Sequence, residues 1–305
     1  MHQVLLRIPI PGTDHAITLY GYGMAMCLGF LAAILWAARR AKRDGQPPEI
    51  IYNVALFCFF GGVFGGRAFY CIQNSGCFPS LWDLVKIWEG GLTFYGGVIL
   101  ATLAVVVYLK VTRRSVLYWL DVIAPSLALG LAFGRVGCFL NGCCYGDVCR
   151  HGWCMVWPEG SIPWQTFGSV PLYPTQIYSS VNALLLALVL HVMFQYRRRN
   201  GQVILGFAVL YGIGRFLLEI LRADEPEAYL LGLPTVLRVF GMPGRAEALV
   251  GDFGLTISQN IAIVMVIGGG LALAALMRSS RPGLRVARRN PPTRGPRKHE
   301  PPGKH

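Results

Sequence analysis

The chain has 305 residues, 54% of them hydrophobic and only 14% charged, with a mean hydropathy of +0.47 and a formal net charge of +13. Soluble domains carry roughly 25% charged residues, so this composition excludes an ordinary soluble globule and points to the bilayer. The excess positive charge is not a nucleic-acid signature, because the basic residues fall in connections and in the tail rather than on one face.

Crossing roughly 30 Å of hydrocarbon takes about 20 apolar residues. Seven stretches qualify, at 16–38, 50–72, 91–110, 115–140, 174–195, 201–221 and 256–277. The fold class expected is therefore an all-α integral membrane protein of about seven transmembrane helices. The opening "MHQVLLRIPIPGTDHAITLYGYG" has no basic segment before an apolar core and no small-residue cleavage site, so no cleavable signal peptide is expected. The first span is followed by "RRAKR" (Arg39 to Arg43), and the second carries Arg67 in "GGVFGGRAFY". The third opens with "EGGLTFYGGVIL", two glycine pairs around Tyr95, which suggests backbone exposed to a cavity with a hydroxyl pointing into it. A lone tyrosine there also fits an interfacial belt. Only "KVTRRS" separates the third span from the fourth, whose Asp121 and Pro125 mark it for a kink or a partly re-entrant course.

The fourth span ends in "AFGRVGCFLNGCCYG", which places Arg135 in a glycine-rich apolar run followed by Cys138, Asn141, Cys143, Cys144 and Gly146. "YPTQIY" opens the fifth with Pro174 near its first turn and presents Gln176. In the sixth, Tyr211, Arg215 and Glu219 are spaced by four, so they share one helical stripe that Arg222 continues. Glu219 can hold Arg215 in place or serve as a base; a merely neutralising intrahelical pair is the alternative. The last 28 residues, 278–305, are rich in Pro, Arg and Lys and poor in large apolar residues, so residues 1–277 form the membrane domain and the tail is expected to be disordered.

Basic residues cluster on every second connection: Arg39 to Arg43, then Lys110, Arg113 and Arg114, then Arg197 to Arg199, then the tail. The positive-inside rule makes those connections cytoplasmic, which puts the N-terminus outside and the C-terminus inside. Arg67, Arg135 and Arg215 then all lie toward the outer ends of their spans. A charge at membrane depth costs at least about 2.5–3.5 kcal/mol and tends to be paired and functional, although long side chains also snorkel to the interface. Guanidinium is a planar fork matched to phosphate, and each of the three has glycine beside or near it. A phosphate-bearing lipid is the anion such a cluster suits.

Nine cysteines are present, and five of them, Cys138, Cys143, Cys144, Cys149 and Cys154, follow or end the fourth span. An oxidising outer face would favour disulfides; buried or unpaired thiols are the alternative. A metal site from Cys149, His151 and Cys154 matches no familiar spacing, and neither a metal nor a cofactor is expected.

"YGYGMAMCLGF", "GGLTFYGGVI", "GRVGCFLNGCCYG", "YPTQIY", "YGIGRFLLEILR" and "LTISQN" occur in this order over roughly residues 15–277. Together they resemble the bacterial prolipoprotein diacylglyceryl transferase family, with Gly-Arg-x-Gly-x-Phe-x-Asn-Gly the most specific block. The resemblance implies a multi-pass inner-membrane enzyme. Its expected reaction moves the diacylglyceryl group of phosphatidylglycerol onto the lipobox cysteine of a prolipoprotein signal peptide and releases glycerol phosphate. Its partners are then phosphatidylglycerol, prolipoprotein signal peptides and membrane lipids, with no nucleic acid. It implies catalytic roles for Arg135, Arg215, Tyr95 and Glu219, and phosphatidylglycerol contacts from Arg135, Arg67, Tyr22, Asn141, Gly146, Tyr211 and Gln176. Three positions depart from the pattern. Members often carry histidine where Tyr95 stands, asparagine where Cys138 stands and glutamate where Cys143 stands. The base is therefore open between a Tyr95 tyrosinate, Glu219 and no dedicated base. Two other readings compete with the transferase: a membrane thiol protein, redox or metal-binding, built on the cysteine-rich loop, and a transporter for a small anion.

Overall fold

In the computed structural model, the described residues are 4–9, 16–74, 91–222 and 256–279. The chain begins with a hairpin, β1 (Val4–Pro9) antiparallel to β2 (Ala16–Tyr20). Eight helices follow among the described residues. They are α1 (Gly21–Arg43), α2 (Glu49–Gln73), α3 (Phe94–Val111), α4 (Val116–Asn141), the short α5 (Ile162–Phe167), α6 (Thr175–Tyr196), α7 (Gln202–Glu219) and α8 (Ile257–Arg278). All but α5 are long and apolar enough to cross a membrane. Their outward faces carry the large apolar side chains lipid requires, among them Leu31, Phe60, Leu103, Leu185 and Leu271.

The seven expected spans are all present, with two corrections of detail. The first was placed at 16–38, but residues 16–20 pair as β2 and the helix runs on to Arg43, so "RRAKR" is its last turns rather than a loop. Apolar "AITLY" reads alike for strand and span. Basic residues, in turn, extend a helix readily at its C-terminus, where they meet the negative end of the macrodipole. The fourth span is one helix without re-entry despite Pro125. There the Arg40 guanidinium reaches across from α1 to donate to the Val122 carbonyl, one turn before the helix-breaking ring.

Helix α4 is the hub. It packs along α1 on one side and α6 on another, and also meets α7; α2 pairs with α3, and α8 with α7. Antiparallel neighbours sort the polar residues to two ends. One end gathers the α1 C-terminus, the α4 N-terminus, the α6 C-terminus and the α7 N-terminus, where the basic connections lie. The apolar core sits in that half: Ala37, Ala41, Ile51, Val54, Leu109, Trp119, Val122, Ala128, Leu190 and Val203 are all buried. There Asp121, fully buried, accepts from the backbone N–H of Gly201, Val203 and Ile204 at 2.7, 3.0 and 2.8 Å. Those are α7's orphan first-turn donors, which an anion satisfies well. Arg197 donates to Asp44 at 2.5 Å and to the Phe194 carbonyl at 2.7 Å, with Tyr118 donating to the same Asp44 oxygen at 2.8 Å.

Close helix contact needs glycine in two places. A Cβ on Gly65 would lie 2.5 Å from the Gly96 carbonyl, so α2 and α3 touch backbone to backbone. On Gly137 it would press on Tyr22 at 3.1 Å, fixing α1 against the end of α4. The expected tail, except for its first two residues, lies outside the described residues, as does Cys77.

Candidate functional site

The opposite end of the bundle collects the residues singled out in the sequence. Helix α4 stops at Asn141 because Gly142 turns left-handed (φ 77), its N–H returning to the Cys138 carbonyl at 2.9 Å. This is the glycine-terminated helix end expected of "NG". The Cys143 N–H also returns to the Cys138 carbonyl, at 3.1 Å, and Cys144 is itself left-handed at φ 61. The chain thus folds back over the last turn of α4. Two side chains from the start of α6, each 1% exposed, fasten it: Thr175 Oγ1 donates to the Cys144 carbonyl and Gln176 Nε2 to the Cys143 carbonyl, both at 2.8 Å. Gln176 Oε1 has no hydrogen-bond partner among the described residues.

Gly146 then crosses the end of α7. Its N–H donates to the Tyr173 carbonyl at 2.9 Å, it bridges Arg222, and the Asp147 N–H donates to the Leu221 carbonyl at 3.1 Å. A Cβ here would meet Leu221 O at 2.6 Å, Tyr173 at 2.6 Å and Thr175 at 2.7 Å, so only glycine fits. Gly146 and Asp147 thus tie the loop after α4 to the end of α7.

On α7, Glu219 is the polar centre. Its side chain is 1% exposed; Oε2 lies 2.5 Å from Arg215 Nη1 and 3.7 Å from Arg222 Nη1. Oε1 accepts from Thr256 Oγ1 at 2.9 Å, and Arg215 Nη2 donates to Ser258 Oγ at 2.7 Å. Thr256 also caps α8 in a reciprocal box with Gln259. The motif "LTISQN" therefore brings a capped helix start onto the α7 carboxylate. Tyr211, one turn before Arg215, stacks on Phe207 and lies within electrostatic reach of that guanidinium.

Arg135 is the contrast. It is half-buried and makes no hydrogen bond, ion pair or ring contact among the described residues, yet it lies within electrostatic reach of Arg215, Cys144 and Tyr22. Three guanidinium groups, those of Arg135, Arg215 and Arg222, act on one another here. Glu219 contacts Arg215 and Arg222, whereas the half-buried Arg135 is left fitted to an anion.

Of the loop thiols, Cys144 is the one on which these arginines act. Hydrogen bonds from Cys138 and Cys143, then the charges of Arg222 and Arg135, hold the Cys144 thiol well below its ordinary range against the opposing effect of burial. Asn141 is hydrogen-bonded to Cys143. Cys149 and Cys154 form a disulfide, which sets the Cys149–His151–Cys154 metal reading aside; Cys27, Cys58, Cys138, Cys143 and Cys144 are free thiols. The loop is thus stapled once, and both expectations for the cysteines hold in part.

Of the sequence-derived residues, Arg135, Arg215, Tyr22, Asn141, Gly146, Tyr211, Glu219 and Gln176 converge at this end. Arg67 is 1% exposed within the α2–α3 pair, donating to the Gly91 carbonyl at 3.5 Å and lying over the Tyr70 ring at 5.8 Å. Tyr95 is 43% exposed in the first turn of α3, with Phe94 edge-on to its ring. Neither has a described contact with the Arg135–Arg215 group. Thr175, Thr256 and Ser258 were not singled out in the sequence. The capping pattern Thr-x-x-Gln ahead of the last span was the signal for Thr256.

Comparison with known proteins identifies the family. The family profile described as prolipoprotein diacylglyceryl transferase matches residues 12–275. A phosphatidylglycerol–prolipoprotein diacylglyceryl transferase of Clostridium tetani is 35% identical over 68% of this chain and 82% of its own length. Its namesake in Vibrio vulnificus is 33% identical over 88% of this chain and 93% of its own length. The Thermotoga maritima enzyme of that name is 35% identical over 67% and 71%.

Proposed function

Since the chain belongs to the prolipoprotein diacylglyceryl transferase family, we propose that it transfers the diacylglyceryl group of phosphatidylglycerol to the thiol of a prolipoprotein lipobox cysteine. Glycerol phosphate leaves. The observation that carries this reading is Arg135, a half-buried guanidinium beside the Arg215–Glu219 pair that makes no hydrogen bond or ion pair among the described residues. A membrane enzyme of this kind has its substrates in the cytoplasmic membrane itself. By the positive-inside rule, the basic end faces the cytoplasm and the site faces outward.

Arg135 holds the lipid phosphate, and Arg215, oriented by Glu219 and Ser258, stabilises the charge that develops on the departing glycerol phosphate. The substrate thiolate attacks the glyceryl carbon that bears the phosphate. A carbon–sulfur bond forms as the carbon–oxygen bond breaks, and the electron pair leaves with the phosphate. The thiol begins near a pKa of about 8.5 and needs only modest help to ionise, which the surrounding positive field provides. Glu219 is engaged by two guanidinium groups and serves to position Arg215. That leaves Tyr95 as the candidate to take the proton. Tyr22, Asn141, Tyr211 and Gln176 contribute polar contacts to the headgroup, Gly146 keeps the loop close, and Arg67, buried between α2 and α3, adds positive charge at a distance.

The test is transfer from phosphatidylglycerol to a lipobox-cysteine peptide by the purified protein, together with rescue of lipoprotein modification in cells depleted of their own transferase. A peptide that keeps its unmodified mass, with no rescue, sinks the reading. Tyr95→Phe should lower the rate by about 10²–10⁴-fold, the usual worth of a general base; a rate within about threefold of the parent removes that assignment.

A further inference from the structure

The sulfur atoms of Cys138, Cys143 and Cys144 all lie within 4.8 Å of one another. A tetrahedral zinc thiolate has Zn–S bonds of about 2.3 Å, which sets its sulfurs about 3.8 Å apart. The three thiols therefore stand at the separation that one soft cation would draw to its own.

The cluster is built rather than incidental. Gly142 ends α4 so that residues 143 and 144 fold back over Cys138. Cys144 holds a left-handed backbone at φ 61, which is unfavourable for a residue other than glycine and persists only where the surroundings dictate it. Thr175 and Gln176, both buried, dictate it here through the two carbonyls they hold. A few residues on, Cys149 and Cys154 are joined in a disulfide, whereas these three remain free. Each of the three is partly exposed, so a bound ion could be reached from outside the protein. Three thiolates on a divalent cation carry one net negative charge, and the Arg222 guanidinium acts on the Cys144 sulfur from nearby.

We infer that Cys138, Cys143 and Cys144 form a tris-thiolate site for a soft divalent cation, zinc in the first instance, with its fourth position open to an incoming thiol. Binding releases the three thiol protons to solvent. Three protein ligands and one open position are the pattern of catalytic rather than structural zinc. On the transferase reading, on which this last step rests, a metal held by the three cysteines would take the lipobox thiol in its fourth position, its proton passing to solvent, and would supply the thiolate whose sulfur bonds to the glyceryl carbon as the carbon–oxygen bond to phosphate breaks. This goes against the expectation of a metal-free site.

The experiment uses the full chain, purified reduced in detergent and titrated with Co²⁺, with zinc measured by mass spectrometry in separately purified protein. Expected are one equivalent of metal per chain and a near-ultraviolet thiolate-to-cobalt band that zinc displaces. Cys144→Ser and, separately, Cys138→Ser should each weaken cobalt binding by at least about a hundredfold, beyond the 10–100-fold typical of residues behind the ligands. Cys27→Ser and Cys58→Ser should leave it unchanged. A lipobox-cysteine peptide should shift the cobalt spectrum, and its serine counterpart should not. Absence of the band in the reduced parent protein, a band that survives both cluster substitutions in folded protein, or a cysteine peptide without effect overturns the corresponding part of the inference. Should either variant fail to fold, the parent titration and the peptide comparison decide alone. If transfer proceeds at full rate with metal removed, the metal step falls and the transferase reading stands; if cobalt binds but no transfer occurs, the metal site stands while the transferase reading, and with it the metal step, falls.

Discussion

The two ends of the bundle both hold buried or half-buried arginine, but in opposite conditions. At the basic end, Arg197 meets Asp44, the Phe194 carbonyl and the Phe194 ring at 3.6 Å. There Arg40 donates to the Val122 carbonyl and stacks over Trp36 at 4.6 Å. The apolar core lies alongside. At the other end, Glu219 contacts Arg215 and Arg222, while Arg135, which acts on Arg215 electrostatically, has no hydrogen bond or ion pair among the described residues. An arginine with its partners in the protein holds helices together. One whose partner must come from outside is a binding group, and its burial is a cost the fold bears until the ligand arrives.

This contrast can be broken by substitution, and the largest effect should come from Arg135. Arg135→Ala should lower transfer by about 10²–10³-fold, as loss of a charge-stabilising donor does, while thermal unfolding in detergent stays where it was, because no described protein contact is removed. An equally large drop in melting temperature would show that Arg135 is structural after all. Next, Gly146→Ala forces a methyl group against the Leu221 carbonyl. It should displace the loop and cost about 10²-fold in rate, the scale of an ångström-sized misplacement, with a stability loss of about 1–3 kcal/mol from overpacking.

Asp121→Asn tests the basic end. With three backbone donors relying on one carboxylate, the loss should be about 1–3 kcal/mol of stability. Per-molecule transfer at low temperature should be nearly unchanged. A rate fall matching that of Arg135→Ala would mean the two ends are not separable. The smallest effect sharpens the picture: Thr256→Ala removes the α8 cap and one hydrogen bond to Glu219. About 1 kcal/mol should be lost, with only a slight fall in rate because the Arg215–Glu219 pair remains; calorimetry and initial rates together measure both.

Much of this was legible beforehand. The four-residue spacing of Tyr211, Arg215 and Glu219 placed them on one stripe, and the Arg215–Glu219 ion pair follows from it. The seven spans were readable because lipid demands a length and a composition that only a few stretches meet. The hairpin was not readable, since "AITLY" satisfies a strand and a span equally. Asp121 read as a kink signal and proved to be a cap for another helix, a role set by residues 80 positions away.

By itself, then, the sequence determined the number of crossings, the alternation of basic connections and the family blocks, all of which are local or periodic properties of the chain. Which arginine keeps its charge uncompensated, which glycine admits no methyl group and which three of nine cysteines meet were decided only in three dimensions. Each depends on where α1, α4, α6, α7 and α8 bring residues far apart in sequence within a few ångströms, and no spacing along one strand of text encodes that distance.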